Sequence, residues 1–342
     1  VSLTIAILSI YSISILFLKK EEAMSTFISS ISSVIVVILI IALGYTLRIK
    51  DWFADTFSGN ISKLIMQIAL PASIFVSVQK NLTKDSLGQL FEGMLIPALG
   101  VFLTYIIAFL LIAMFRIPAG RRGTFINTIA NANTIFIGMP LNMALFGNKA
   151  MQYFLIYYVI NTVSTWAVGI FFMQGDAMPG KAKEQASFNW KKLLPMPLVG
   201  FIVAIVWLLT GLKLPDFATN TFTYVGNLVT PLSLIYIGIM LANIGIKNIK
   251  FDLQTILAVL GRLVIAPAVM ILLIRVVAPA MGLHLAHLMA NTFIIQSATP
   301  ALAVLPILAD QGNGDKEYAT NVVALTTLLF VIVVPALMLI AG

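Results

Sequence analysis

The chain has 342 residues, of which 60% are hydrophobic and 10% charged, and its mean hydropathy is +1.02. That leaves too little polar surface for a soluble protein of this size and marks an all-α polytopic membrane protein. The formal charge of +8 falls mostly in short clusters between apolar runs, which reads as topology and not as a nucleic-acid footprint, and the absence of cysteine excludes disulfides and thiol chemistry.

In chain order, residues 1–30 hold an N-terminal extension whose apolar, Ser-rich run (1–18) precedes Lys19-Lys20-Glu21-Glu22-Ala23-Met24. Basic residues after the apolar run do not fit a signal peptide. The extension is either an eleventh helix or an upstream segment with Met24 as the start, and the lack of a counterpart elsewhere in the chain favours the second. Runs long enough to span a bilayer follow near 31–47, 60–79, 94–115, 124–146, 152–173, 194–211, 222–243, 254–275, 287–308 and 319–341, which predicts ten spans. Between 31–173 and 193–342, the segment 174–192, with Gly175, Pro179 and Gly180 among alternating charges, reads as a linker.

If the first span runs inward, the cytoplasmic loops hold Arg48, Lys50, Arg116, Arg121, Arg122, Lys181, Lys183, Lys191, Lys192, Lys247, Lys250 and Lys316. The opposite loops hold Lys80, Lys84, Lys149, Lys213 and Arg275. The excess predicts a cytoplasmic 174–192 linker and a C-terminus outside the cell membrane.

Sliding the chain by 160 residues aligns Pro71 with Pro231, Asn131 with Asn291, Pro140 with Pro300, Tyr158 with Tyr318 and Asn161 with Asn321. Polar and helix-breaking matches inside apolar spans are scarce, so the pattern predicts two repeats of five helices. Five is odd, so the second repeat enters from the opposite side and the topology is inverted.

A proline within a span removes a backbone hydrogen bond and frees the carbonyl four residues earlier. Pro140, with Gly138 before it, and Pro300, with Ser297 and Ala298 before it, therefore predict breaks in the fourth and ninth spans, each second half aiming its positive end at the crossing. That geometry favours an anion; a plain kink is the simpler alternative. Asn131, Asn133, Asn291 and Gln296 supply hydrogen-bond donors on the same elements. Pro71 and Pro231 fit structural kinks better. Asn161 and Asn321 either tie their helices to the crossing or touch substrate. Arg262, well inside the eighth span, either pairs with a substrate carboxylate or snorkels to the interface. No Asp or Glu lies centrally in a span and the two histidines, His284 and His287, sit at the start of the ninth, so neither an acidic relay, a metal site nor a catalytic pair is expected.

The stretches Asn131-Ala132-Asn133-Thr134-Ile135-Phe136-Ile137-Gly138-Met139-Pro140-Leu141 and Leu70-Pro71-Ala72-Ser73-Ile74-Phe75, with the paired Pro300, resemble the auxin efflux carrier family, and more closely its bacterial malate permease branch. The resemblance covers about residue 30 to the end. It implies an antiporter-like or bile acid symporter-like fold of ten helices, with the fourth and ninth crossing beside the substrate. It also implies a scaffold of helices one, two, six and seven and a transport domain of the other six. By position Asn131, Pro140, Asn161 and Pro300 match the family's crossover and cavity residues. The short central linker departs from the long loop of many plant members. The expected function is secondary transport of a small organic anion, malate first, with another weak acid of the auxin type as alternative and an anion channel as the reading from a different class. Proton co-transport and a homodimer are compatible partners; no cofactor is implied.

Overall fold

The computed structural model describes residues 32, 35–84, 88, 93–181, 194–245 and 249–341. The apolar extension over 1–30, Met24, the linker from residue 182 onward with Lys183, Lys191 and Lys192, and Lys247 lie outside the described residues. Among the described residues the chain is helical throughout, in the order α1 (Ile35–Ile49), α2 (Phe57–Asn81), α3 (Leu95–Phe115), α4 (Arg122–Ala130), α5 (Thr134–Phe146) and α6 (Asn148–Gln174). The second half follows with α7 (Met196–Thr210), α8 (Asp216–Asn243), α9 (Leu253–Ala280), α10 (His287–Ser297), α11 (Leu305–Gln311) and α12 (Lys316–Ala341).

Six of these, α2, α3, α6, α8, α9 and α12, are long and apolar enough to cross a membrane. The ten expected spans are not reached by length alone. Two of the expected spans fall on the short helices α1 and α7, and two are split into the pairs α4/α5 and α10/α11.

Proline does not break the long helices. The residue before Pro71, Pro140, Pro267 and Pro279 donates its N–H five residues back: Leu70 to Ile65, Met139 to Thr134, Ala266 to Gly261, and Ala278 to Leu273. Each proline thus begins an α-helical segment behind one π turn. The wider turn makes room for the pyrrolidine ring, and the helix continues at the loss of one bond.

Glycine sets the closest helix approach. A Cβ on Gly44 of α1 would come within 2.8 Å of the Ile235 Cα in α8, and one on Gly238 of α8 within 2.6 Å of the Tyr45 amide nitrogen. The two backbones touch there, as small residues allow in membrane bundles.

At one end of the bundle four segments from both halves of the chain are locked together. Arg121 bonds Asp315 and Asp252 at 2.7 Å each and Gln254 at 2.5 Å, and its guanidinium lies 4.8 Å over the Tyr318 ring. The Asp315 amide donates to the Gly120 carbonyl (2.8 Å), the Met178 amide donates to the Asn313 carbonyl (2.9 Å), and Asp176 accepts from the amides of Gly120 and Gly123 at 2.9 and 2.8 Å. Partial burial pushes the Asp252 carboxyl up, but the Thr255 amide and Arg121 outweigh it and hold the group below its ordinary value.

Two outcomes are expected. Gly238→Val should lower the thermal midpoint of the purified protein through about 1–3 kcal/mol of overpacking, whereas Gly59→Ala, with nothing within 4 Å, should leave it unchanged. A carboxyl with a lowered folded pKa stabilises the fold above its unfolded value, about 3.9, and loses that contribution as pH falls through the lower folded value. The midpoint gap between the parent and Arg121→Gln should therefore be flat from pH 7 to 5 and shrink below about pH 4.

Candidate functional site

The two broken helices cross through extended chain. α4 stops at Ala130 and Asn131 turns extended (φ −115°, ψ 137°), while α10 stops at Ser297 and helix resumes only at Leu305. Ala132 and Ala301 pair antiparallel, and the Asn133 amide donates to the Pro300 carbonyl at 2.8 Å. Antiparallel pairing sends the residues after Ala132 and those before Ala301 off on the same side. So α5 runs back along α10, where Gln296 Nε2 donates to the Gly138 carbonyl (2.9 Å), and α4 runs along α11, where Phe125 and Ile129 share a buried cluster with Leu305 and Leu308. A Cβ on Gly138 would collide with the Gln296 amide, so glycine is what admits it.

The break in the fourth span therefore falls at Asn131–Asn133, nine residues before Pro140, which sits inside α5 behind its π turn. Pro300 does lie within its break, but α11 begins five residues beyond it. The physical reason is that one missing N–H can be absorbed by a π turn, whereas a run of asparagines offers the backbone side-chain partners outside the helix.

Those partners are visible. Asn161 of α6 grips one residue at both its backbone polar groups, accepting from the Ala132 amide (2.8 Å) and donating to the Ala132 carbonyl (2.9 Å). The Ala301 amide donates to Thr326 Oγ1 of α12 at 3.2 Å. Asn321, the register mate of Asn161, makes the same grip elsewhere, on the amide (2.9 Å) and carbonyl (2.5 Å) of Lys250 before α9. Asn131 is fully buried: it donates to Tyr105 (3.0 Å) and Asn127 (2.9 Å) and accepts from Ser164 (2.5 Å). Asn291 is buried within α10, 3.5 Å from His287 Nδ1.

Arg262 is 1% exposed and lies at the crossing, not at an interface. Its Nη1 donates to the Ile129 carbonyl at 3.1 Å and its Nη2 to the Ser297 carbonyl. Both acceptors belong to last turns, of α4 and α10, where unpaired carbonyls give a helix its negative end. One cation thus serves both carbonyl ends of the crossing.

Beside the start of α5 lies a cavity of about 90 Å³. Asn133 and Thr134 at the start of α5 line it with Ala303 and Val304 ahead of α11, and Asn133 caps α5 by accepting from the Phe136 amide (3.2 Å). α6 contributes Tyr158, Asn161, Thr162, Thr165 and Trp166, the i, i+3, i+4, i+7, i+8 face of a helix, and α2 contributes Met66. The lining combines amide and hydroxyl groups with Met66, Ile135, Phe136 and Leu302, and holds no Asp, Glu, Lys, Arg or His.

Of the nine residues singled out from sequence, Asn133 and Asn161 line this cavity; Asn131, Gln296, Pro300 and Arg262 build the crossing behind it. Pro140, Asn291 and Asn321 lie farther along their helices. Sequence reading missed Thr162, Thr165, Trp166 and Thr326. The helical spacing of the first three from Asn161 was the available signal.

Comparison with known proteins gives the family. The family described as membrane transport protein (Mem_trans) matches residues 29–338. An uncharacterized transporter of Methanocaldococcus jannaschii is 21% identical over 306 residues, covering 88% of this chain and 95% of that protein. An uncharacterized transporter of Methanothermobacter thermautotrophicus is 22% identical over 314 residues, covering 90% and 97%. With several long apolar helices and a family match over nearly its whole length, the chain belongs to the membrane transport protein family.

Proposed function

We propose that the cavity at the crossing is the substrate site of a secondary carrier for small organic anions, malate first among them, working by alternating access. The observation that carries the reading is the division of charge at the crossing. Both carbonyl ends are served by Arg262, and the start of α5 lies at the cavity. Helix N-termini with neutral donors around them suit an anion without fixing it by a full charge. A carrier must also release what it binds.

In this reading the broken pairs α4/α5 and α10/α11 each count as one span and α1 and α7 complete ten, in two inverted five-helix repeats. The end that holds Arg121 and Lys250 is cytoplasmic by its basic excess. α1, α2, α7 and α8 form the scaffold and the remaining helices the moving part. The extensive packing of α2 on α7 and α8 supports that grouping.

Radiolabelled malate uptake into proteoliposomes, with pH gradient and membrane potential imposed separately, tests the reading. Saturable uptake driven by one gradient is the expected result, and a flux that never saturates would mean a channel. Thr162→Val deletes one cavity donor and should raise KM about fivefold, the worth of roughly 1 kcal/mol, with kcat little changed.

Arg262 acts from behind the site in this proposal. Arg262→Gln should slow malate and lactate uptake by the same factor and lower the thermal midpoint, because two helix ends lose their cation. A loss confined to malate would instead put the guanidinium on the substrate.

A further inference from the structure

A second hollow lies on the other side of the crossing, and the proposed carrier makes no use of it so far. The first cavity draws on the half of α6 nearer the Arg121 end (158–166) and on Met66, in the first half of α2. The second, a cleft of about 30 Å³, draws on the far halves of α2 and α8 and on the corner between α5 and α6. Ser73, Ser77 and Lys80 line it from α2, at i, i+4 and i+7 of one face. Thr223 and Asn227 line it from α8, and Asn148 from the α5–α6 corner.

Its chemistry differs from that of the first cavity. Lys80 supplies a cation, no Asp or Glu lines the cleft, and Lys80 forms no ion pair among the described residues. Ser77 is 6% exposed, and its hydroxyl accepts from Asn81 Nδ2 (3.2 Å), which also donates to the Asn148 carbonyl (3.2 Å). The α6 corner is thereby bonded to the α2 wall beside the cation. Between the two hollows on α2 lies Leu70, fully buried.

We propose that this cleft is an anion-loading site at the far mouth of the transport path, with Lys80 drawing in a carboxylate and Ser73, Asn148 and Asn227 supplying neutral hydrogen bonds. The proposal rests on the carrier reading for its purpose, but the site itself can be tested without transport. A single cation at a narrow polar mouth raises the local concentration of anions and acts on capture more than on turnover.

The chain has no cysteine, so a single introduced thiol reports alone. Ser77→Cys and, separately, Asn227→Cys would be reacted in proteoliposomes with an anionic and a cationic methanethiosulfonate, each rate divided by that of a free thiol. The expected result is at least a threefold preference for the anionic reagent, lost when Lys80→Gln is added, and slowing by malate. No charge preference, a preference that survives Lys80→Gln, or no reaction at either position would overturn the site. Anion preference without malate uptake would keep the site and sink the carrier reading; malate uptake with an unchanged KM in Lys80→Gln would do the reverse.

Discussion

The structure depends on satisfying the backbone where two membrane helices stop in mid-bundle. Free N–H and C=O groups at that depth cost several kcal/mol each in hydrocarbon, and the crossing resolves them locally. Ala132 and Ala301 pair with each other, Asn161 takes both polar groups of Ala132, Thr326 takes the Ala301 amide, and Pro300, with no N–H of its own, gives its carbonyl to Asn133. The breaks join α4 to α5 and α10 to α11, and Asn161 and Thr326 add α6 and α12, so the crossing binds six helices into one unit. Burial of Asn131 among Tyr105, Asn127 and Ser164 extends the same network to α3.

The carbonyl ends demand more than hydrogen bonds, because two negative helix ends converge. A buried guanidinium is expensive unless its donors are used, and Arg262 spends two of them on Ile129 and Ser297. Gly261, beside it, has no side chain to keep Ile129 away; a Cβ there would press on that residue at 2.5 Å. The sequence pair Gly261-Arg262 is thus one device: the glycine lets α4 come close, and the arginine neutralises what comes close.

The broad class and the crossing were legible in the residues, because polar side chains and prolines inside apolar runs have few uses. Asn133 and Asn161 stood out for the same reason, and Asn161 ties α6 to the crossing. What was not legible was the register. A gapless repeat makes Asn161 and Asn321 equivalent, yet the first break spans 131–133 and the second 298–304. The second break already begins 167 residues after the first and not 160. Thr326 consequently does at the second strand part of what Asn161 does at the first, and Asn321 is left to grip Lys250 instead. Proline misled for a related reason: its cost is one hydrogen bond, and a π turn removes the strain at Pro71, Pro140, Pro267 and Pro279 without ending the helix.

The same accounting explains why the cavity has no fixed charge. A lysine or arginine there would sit near Arg262 in a low-dielectric bundle, where two cations repel strongly, and would hold an anion too well to let it go. The amide dipole at the start of α5 avoids both problems in the proposed carrier, since it belongs to backbone already fixed by the crossing and falls off within a turn. In that proposal affinity comes from weak donors whose geometry depends on the crossing staying intact. In the proposed carrier, a movement that carries the substrate across moves α4, α5, α10 and α11 together, with α6 and α12 held to them through Asn161 and Thr326, and leaves the surface against α2 and α8 as the place where sliding occurs.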